Sequence, residues 1–270
     1  MSPHAPEVGA LLTQRGVPAF AAAESCTAAL GAMLDAGHWQ EPTSSAPAPS
    51  VSVEDLPPGS LDEAQAKQLF TRFGVPCARE VVVTTPSQAE GAAHELGGRV
   101  VLKILSAEIT HKSDVGGVAV NLTPETVGPR LLAMASEVET QAGLRPQRFL
   151  VQEMVSGGTE LILGMHHDVL GTAILLGMGG VTAELFKDTT MRLLPPQGGL
   201  SRQEARAMAK ELKTWPLLDG FRGRPKADVE ALVNAIVAFS QMAAQLGPRL
   251  IEAEINPVFV LPEGQGVRAA

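Results

Sequence analysis

The stretch QEPTSSAPAPSVSVEDLPPGS, from Gln40 to Ser60, is dense in Pro, Ser and Ala and carries no apolar period. Such a composition gives a flexible, partly extended linker, and its position constrains the rest of the chain. The residues before it, 1–39, are too few to bury an apolar face of their own. The residues after it, 61–270, suffice for one large domain. In the leading piece the pattern predicts a helix over Glu7–Arg15, a strand over Pro18–Ala21 and a helix from Ser25 to about Asp35.

Beyond the linker, helix starts are marked by side chains able to take up free backbone N–H groups. Ser60 with Glu63, Thr85 with Gln88 and Ser201 with Glu204 have capping-box spacing, and Thr123 precedes Pro124 as an N-cap precedes a first-turn proline. The helix beginning at Leu61 sets Leu61, Ala64, Leu69, Phe70 and Phe73 on one side, and Gly74 closes it. A second stripe, Val229, Leu232, Val233, Ile236, Val237 and Ala244, marks a helix from Asp228 to Gln245. Strands are predicted at Arg79–Thr84, Arg99–Leu105, Val118–Leu122, Arg148–Met154, Glu160–Met165 and Thr172–Leu176, with Leu250–Leu261 as a hairpin or a bent pair around Pro257. Helices and strands alternate at first, and then three strands follow one another. That order predicts α+β subdomains, not a doubly wound sheet.

Composition narrows the function. The hydrophobic fraction of 45% supplies a core, an aliphatic one, because aromatics are 4% and Tyr is absent. With 21 basic against 29 acidic side chains the formal charge is −8, so the basic face and stacking platforms of nucleic-acid binding are not expected. Cys26 and Cys77 stand far apart without CxxC spacing, and neither a disulfide framework nor a zinc site is implied. The start, MSPHAPEVGALL, lacks the pattern of a signal peptide, and no stretch approaches the roughly 18 apolar residues of a membrane span. A reducing, cytoplasmic setting is the expectation, with neither nucleic acid nor membrane as partner.

Three places can carry chemistry. Lys103 lies inside the apolar run Val100–Leu105, where a central-strand lysine loses hydration unless an anion meets it. It reads either as an edge-strand lysine reaching solvent or as a phosphate ligand. The loop that follows, SAEITHKSDVGG, ends in Gly116 and Gly117, whose backbone can approach an oxyanion closely. His111 in that loop is either an isolated surface histidine or a group that accepts or holds a phosphoryl. Near the end, IEAEINP puts Glu252, Glu254 and Asn256 at alternate positions, so a strand turns all three to one face. They form either an all-oxygen site suited to magnesium or the exposed polar face of a half-buried strand.

Weaker signals lie between these. Gln152–Met154 leads through Val155, Ser156, Gly157 and Gly158 to Glu160, a strand, connection and strand whose backbone can read a purine edge, with Glu160 reaching a ribose hydroxyl or a metal. LLGMGG, from Leu175 to Gly180, lacks GxGxxG spacing and is rejected as a dinucleotide site. His166 and His167 point opposite ways on a strand and read as solvent-facing.

Together, VVLKI, ITHKSDVGGV, LVQEM, ELILGM, LLGMGG with Phe186-Lys187-Asp188 and Arg192-Leu193, LLDGFRG from Leu217, and EINPVFV closely resemble the ATP-grasp part of the nucleoside-diphosphate-forming acyl-CoA synthetases. That family includes ADP-forming acetyl-CoA synthetase and is related to succinyl-CoA synthetase. The resemblance spans roughly Leu61 to the C-terminus. It implies an ATP-grasp fold, two α+β subdomains clamping ATP or ADP, with the change of subdomain near residues 150–158. By resemblance, Lys103 contacts phosphates with Gly116 and Gly117 beside them; Glu153, Met154 and Val155 hold the adenine; and Glu160 lies by the nucleotide. Glu254 and Asn256 fall at the Mg2+ region, His111 matches a phosphate-carrying histidine, and Asp188 and Arg192 match polar positions lining the cleft, catalytic with His111, with Arg192 as a second cation for the phosphates beside Lys103. The implied reaction is acyl-CoA + ADP + phosphate ⇌ acid + CoA + ATP, through an acyl phosphate and phosphohistidine.

Two departures shape the expectation. LLTQRGVPAFAAAESCTAALGAMLDAG resembles the last β-α unit of the CoA-ligase portion that precedes the ATP-grasp portion in fused members, a remnant over 1–39. A CoA-binding α-type subunit or domain is therefore the expected partner, in a hetero-oligomer, and the chain alone is not expected to turn over. Family members also continue past a sequence like GVRAA into an Asp of the metal site, so the strand carrying that ligand is expected to be cut or absent at Ala270. Two alternatives stand beside this reading. One is a degenerate nucleotide-binding regulatory module, and the other is a different ATP-grasp carboxylate ligase with no need of His111.

Overall fold

A computed structural model describes residues 6–20, 22–37, 50–106, 109, 112–180, 187–195 and 198–270, which belong to two compact units, Met1–Pro42 and Thr43–Ala270. In the first unit, helices α1 (Pro6–Gln14) and α2 (Ala23–Gly37) stand where two helices are expected. The strand expected between them does not form: residues 17–20 are irregular, and Ala21 lies outside the described residues. This unit has no other strand among its described residues, and an unpaired strand leaves its backbone N–H and C=O groups without partners.

The second unit holds two antiparallel sheets. The first contains β1 (Glu80–Val83), β2 (Val100–Ile104), β3 (Val118–Leu122) and β4 (Phe149–Glu153) in the order β1-β4-β2-β3. Alternation along β2 sends Val100, Leu102 and Ile104 into a core with Ala89, Ala92 and Ala93 of helix α4 (Pro86–Glu95) and Leu131 and Met134 of helix α5 (Pro124–Ala142). Lys103 is thereby turned to the opposite face. Thr85 and Thr123 cap these helices as their spacing predicts.

The second sheet contains β5 (Thr159–Asp168), β6 (Gly171–Met178), β7 (Thr189–Leu193), β8 (Glu252–Val260) and β9 (Val267–Ala269), in the order β7-β6-β5-β8-β9. One face buries Leu161, Leu163, Ile174, Leu176, Ile255 and Val258 against α6 (Arg202–Glu211) and α8 (Val229–Leu246), with α7 (Trp215–Leu218) at the edge of the same core. By length and composition α8 can cross a membrane. Here its apolar positions, among them Leu232, Val233, Ile236 and Phe239, are fully buried in this core. The chain passes from the first sheet to the second between β4 and β5.

Two expectations change. Leu250–Leu261 is not a hairpin, because β8 runs on through Pro257; the proline lacks an N–H for the ladder, and the register with β5 shifts between Leu161 and Leu163 opposite it. At the end of the second sheet β9 pairs with β8, and the backbone N–H of Ala270 donates to Pro257 O at 3.1 Å. And the linker composition ends early: Gln245 and the backbone of Val51 exchange two hydrogen bonds of 3.0 and 2.6 Å, Val53 is buried in the main core, and Asp55 pairs with Arg72 at 2.6 Å.

Helix α3 (Glu63–Arg72) joins the two sheets. Leu69 and Phe70 enter the core of the second, with the Phe70 and Phe239 rings 5.8 Å apart, while Ala64 packs with Leu105 and Leu150 of the first. Its N-cap is Asp62, not Ser60. Asp62 Oδ1 accepts from Gln65 N at 2.9 Å and Gln65 Oε1 accepts from Asp62 N at 3.0 Å, a box shifted by two residues from the Ser60–Glu63 pair. That shift frees the Glu63 side chain.

Candidate functional site

Strand β2 lies between β4 and β3, so Lys103 is an interior lysine and the edge-strand alternative is excluded. Its ammonium is met by the freed Glu63 carboxylate. Lys103 Nζ donates to Glu63 Oε1 at 2.7 Å, Lys67 Nζ to the same oxygen at 2.9 Å, and Lys112 Nζ to Glu63 Oε2 at 2.6 Å. Lys67 also donates to Glu80 Oε2 at 2.8 Å, and Gln152 Nε2 reaches that oxygen at 3.1 Å. Three ammonium groups thus share two carboxylates, leaving a positive excess in a largely buried setting. Burial pushes the Glu63 carboxyl up, but Lys103, Lys67 and Lys112 outweigh it and hold the group far below the usual carboxylate range. Burial lowers the Lys103 ammonium, and the adjacent Glu63 opposes only part of that shift.

The charged face opens on a cleft of about 820 Å³. Glu63, Lys67, Lys103, Ser106 and Lys112 line one side, and Glu252, Glu254, Asn256 and Ala270 line the other. Across it, alternation on β8 exposes Glu252, Glu254 and Asn256 together and buries Ile255, with Asn256 Nδ2 donating to Glu254 Oε1 at 3.3 Å. Among the described residues no group of three or more His, Cys, Asp or Glu can hold a metal. Carboxylate and amide oxygens open to a cleft nevertheless suit magnesium, which keeps several waters and takes few protein ligands.

The paired glycines shape the loop at the cleft's edge. Gly116 has a φ of 68°, a conformation glycine adopts without strain. A Cβ at Gly117 would stand 2.7 Å from Ile104 Cδ1 and 2.8 Å from Lys112 O, so only glycine fits. Their N–H groups close the loop, Gly117 N on Lys112 O at 2.7 Å and Gly116 N on Ser113 O at 3.2 Å. His111 lies outside the described residues.

The remaining expected site residues stand apart from the lining of this cleft. Glu153 binds Arg79, accepting from its backbone N at 2.9 Å and its Nε at 2.7 Å; burial raises the Glu153 carboxyl, and these hydrogen bonds more than reverse it. Met154 and Val155 follow it in the connection to β5, and Glu160 sits beside Gly180. Asp188 is buried and accepts from Lys213 N, Thr214 N and Thr214 Oγ1 at 2.8, 2.8 and 2.5 Å; burial pushes it up, and those hydrogen bonds hold it below the usual range. Arg192 binds the carboxylate of Glu211 and the carbonyl of Met191, on the edge strand β7. His166 is exposed, but His167 is half-buried and its Nδ1 lies 2.8 Å from Thr172 Oγ1.

Sequence reasoning named Lys103 and passed over its partners. Glu63 is read there as a capping residue, and Lys67 is not singled out. The available signal was Glu63–Lys67 at i, i+4 on the helix.

Two sheets facing one cleft, with lysines on one wall and carboxylate and amide oxygens on the other, have the architecture of an ATP-grasp fold. The chain belongs to the ATP-grasp family, whose domain model matches residues 55–270. It is 34% identical over 214 residues to the Pyrococcus furiosus acetate–CoA ligase [ADP-forming] II subunit beta, covering 77% of this chain and 87% of that one. It is equally 34% identical over 211 residues to the Archaeoglobus fulgidus acetate–CoA ligase [ADP-forming] I, but spans only 30% of that longer protein's length. Among solved structures it is similar to the Ca. Korarchaeum cryptofilum dinucleotide forming acetyl-coenzyme A synthetase 1, in complex with coenzyme A and Mg-AMPPCP and with its phosphohistidine segment pointing towards the nucleotide binding site. The TM-score is 0.64 and the identity 34%, over 77% of this chain and 88% of that one.

Proposed function

We propose that this chain is the nucleotide-binding, β-type part of an ADP-forming acyl-CoA synthetase of the cytoplasm, working with a CoA-binding α-type subunit or domain. The observation that carries this reading is the cleft that sets Lys103 and Lys112 opposite Glu254 and Asn256. Phosphoryl transfer needs a positioned acceptor, cations for the phosphate oxygens and a metal, with little other covalent machinery. Lys103 and Lys112 meet the phosphates of ADP or ATP. Glu254 and Asn256 hold Mg2+, which when bound neutralises phosphate charge. The Glu153–Val155 strand end receives the adenine, Glu160 lies by the nucleotide, and Asp188 and Arg192, engaged with Thr214 and Glu211, serve the fold and not the phosphates.

In this reading the partner converts acyl-CoA and phosphate into an acyl phosphate and CoA, and the phosphoryl travels on histidine. A β-phosphate oxygen of ADP attacks the phosphorus carried by His111, the P–N bond breaks, and ATP leaves with the imidazole restored. The test is acyl-CoA-dependent ATP formation after a CoA-binding subunit is added, with His111→Asn as the control. Turnover that collapses in the variant is expected. Turnover that survives it supports a carboxylate ligase with no need of that histidine, and tight nucleotide binding with no turnover on any short acyl-CoA supports a regulatory module.

A further inference from the structure

We propose that Glu63 is a positioning residue for the nucleotide's phosphates: it holds Lys103 and Lys112 side by side on one carboxylate and so presets the cationic pair that the phosphates meet. The inference rests on the nucleotide reading of the cleft. Each carboxylate oxygen takes a different cleft lysine, Oε1 at 2.7 Å from Lys103 and Oε2 at 2.6 Å from Lys112. Glu63 therefore sets the spacing of the two ammonium groups, and each keeps N–H donors for a second acceptor.

The attachment of Glu63 matters as much as its charge. Lys103 belongs to the first sheet and Lys112 to the loop that follows it, whereas Glu63 rides on α3, which is anchored in the second sheet's core through Leu69 and Phe70. Glu63 also stands in the first turn of that helix, where a carboxylate is favoured by the free N–H groups. The lysines are thus placed by a group on a helix that packs on both sheets. The same contact tethers the loop at Lys112.

Charge alone makes the opposite prediction, which is what gives the test its force. A carboxylate beside a phosphate site repels phosphate, so on charge alone Glu63→Gln strengthens binding. On the positioning account it weakens binding, because three ammonium groups then crowd a site in which Glu80 still pairs with Lys67 alone of the three among the described contacts. Lys103 is faced by Glu63 and Lys67 from α3, Lys112 from the loop, Glu80 from β1, and Glu252 and Glu254 across the cleft. Without Glu63 its ammonium loses a proton more readily, since burial already favours the neutral form.

The experiment titrates ADP with Mg2+ into the full chain, as wild type, E63Q and E63D, at several pH values, and measures acetic-anhydride labelling of each lysine by mass spectrometry. E63Q is expected to bind about tenfold more weakly, as for a lost charge-assisted contact, with the deficit growing as pH rises and Lys112 labelled several-fold faster. E63D keeps the charge without the reach to bridge both lysines and is expected to fall with E63Q. ADP binding by E63Q at or above wild-type strength overturns the proposal and leaves the nucleotide reading standing. If wild type binds no ADP, that reading fails, and unchanged Lys112 labelling in E63Q then removes the positioning role too. Should E63Q not fold, Lys112 in wild type is expected to label more slowly than exposed Lys210, and equal rates count against the tether.

Discussion

The two sheets of the second unit each cover one face with helices and differ in what they do with the other. The first sheet buries small and branched side chains against α4 and α5 and sets Lys103, Glu80 and Gln152 on its second face, where α3 brings Glu63 and Lys67 to them. The second sheet buries a larger aliphatic core against α6 and α8 and leaves Glu252, Glu254 and Asn256 open to the cleft. Apolar burial stabilises in proportion to area and asks for no partner geometry. Buried charges contribute little net stability unless paired, and are costly when a partner is lost. Stability is therefore concentrated in the second sheet and the proposed binding in the charged layer of the first, with α3 belonging to both.

The contrast can be broken by substitutions on either side of α3. The largest effect is expected from Phe239→Ala, which empties a fully buried site against Phe70 and costs about 3–5 kcal/mol in urea unfolding; a loss below about 1 kcal/mol would remove the second core from its leading role. Asp188→Asn comes next, at about 1–3 kcal/mol, because a buried carboxylate holding three hydrogen bonds is weakened. The Asp188 carboxyl is held below its ordinary value, so its contribution is complete above the unfolded-state value near 3.8 and is lost as pH falls through the folded one. The variant should show a flatter acid limb of stability than wild type.

Lys103→Met sharpens the contrast from the other side. It removes a buried ammonium while Glu63 keeps Lys67 and Lys112, and stability should move by about 1 kcal/mol or less. Calorimetry should nonetheless find ADP affinity reduced roughly a hundredfold. Unfolding of this variant would show that the charged layer also carries the fold. Smallest in stability is Asn256→Ala, within about 0.5 kcal/mol for an exposed position; its expected effect is a several-fold loss of the gain in ADP affinity that magnesium gives.

Much of this was legible in the sequence, and the misses have particular causes. The apolar stripe of α8, the lysine inside β2 and the alternation of Glu252, Glu254 and Asn256 are contrasts within one element, which periodicity exposes. Strand β7 escaped because its outward positions Met191 and Leu193 are apolar, so an exposed edge gave no alternation of polarity. Residues 51–56 escaped because Val53 and Leu56 enter the core from a segment whose composition is that of a linker. Glu63 escaped because Ser60–Glu63 and Asp62–Gln65 offer the same capping spacing, and only the folded chain shows which pair takes it. Two of its three lysine partners, Lys103 and Lys112, come from 40 and 49 residues away, a distance no local pattern reaches.

The central claim is that the cleft delivers phosphate from the nucleotide to the loop holding His111. It is tested most directly by incubating the full chain with Mg2+ and ATP labelled in the γ-phosphate, then assaying the protein for acid-labile phosphate. Transfer of one phosphoryl group per chain is predicted, absent in His111→Asn, strongly reduced in Lys103→Met and reversed by added ADP. Label that persists in His111→Asn, or no transfer from ATP that demonstrably binds, would contradict the account.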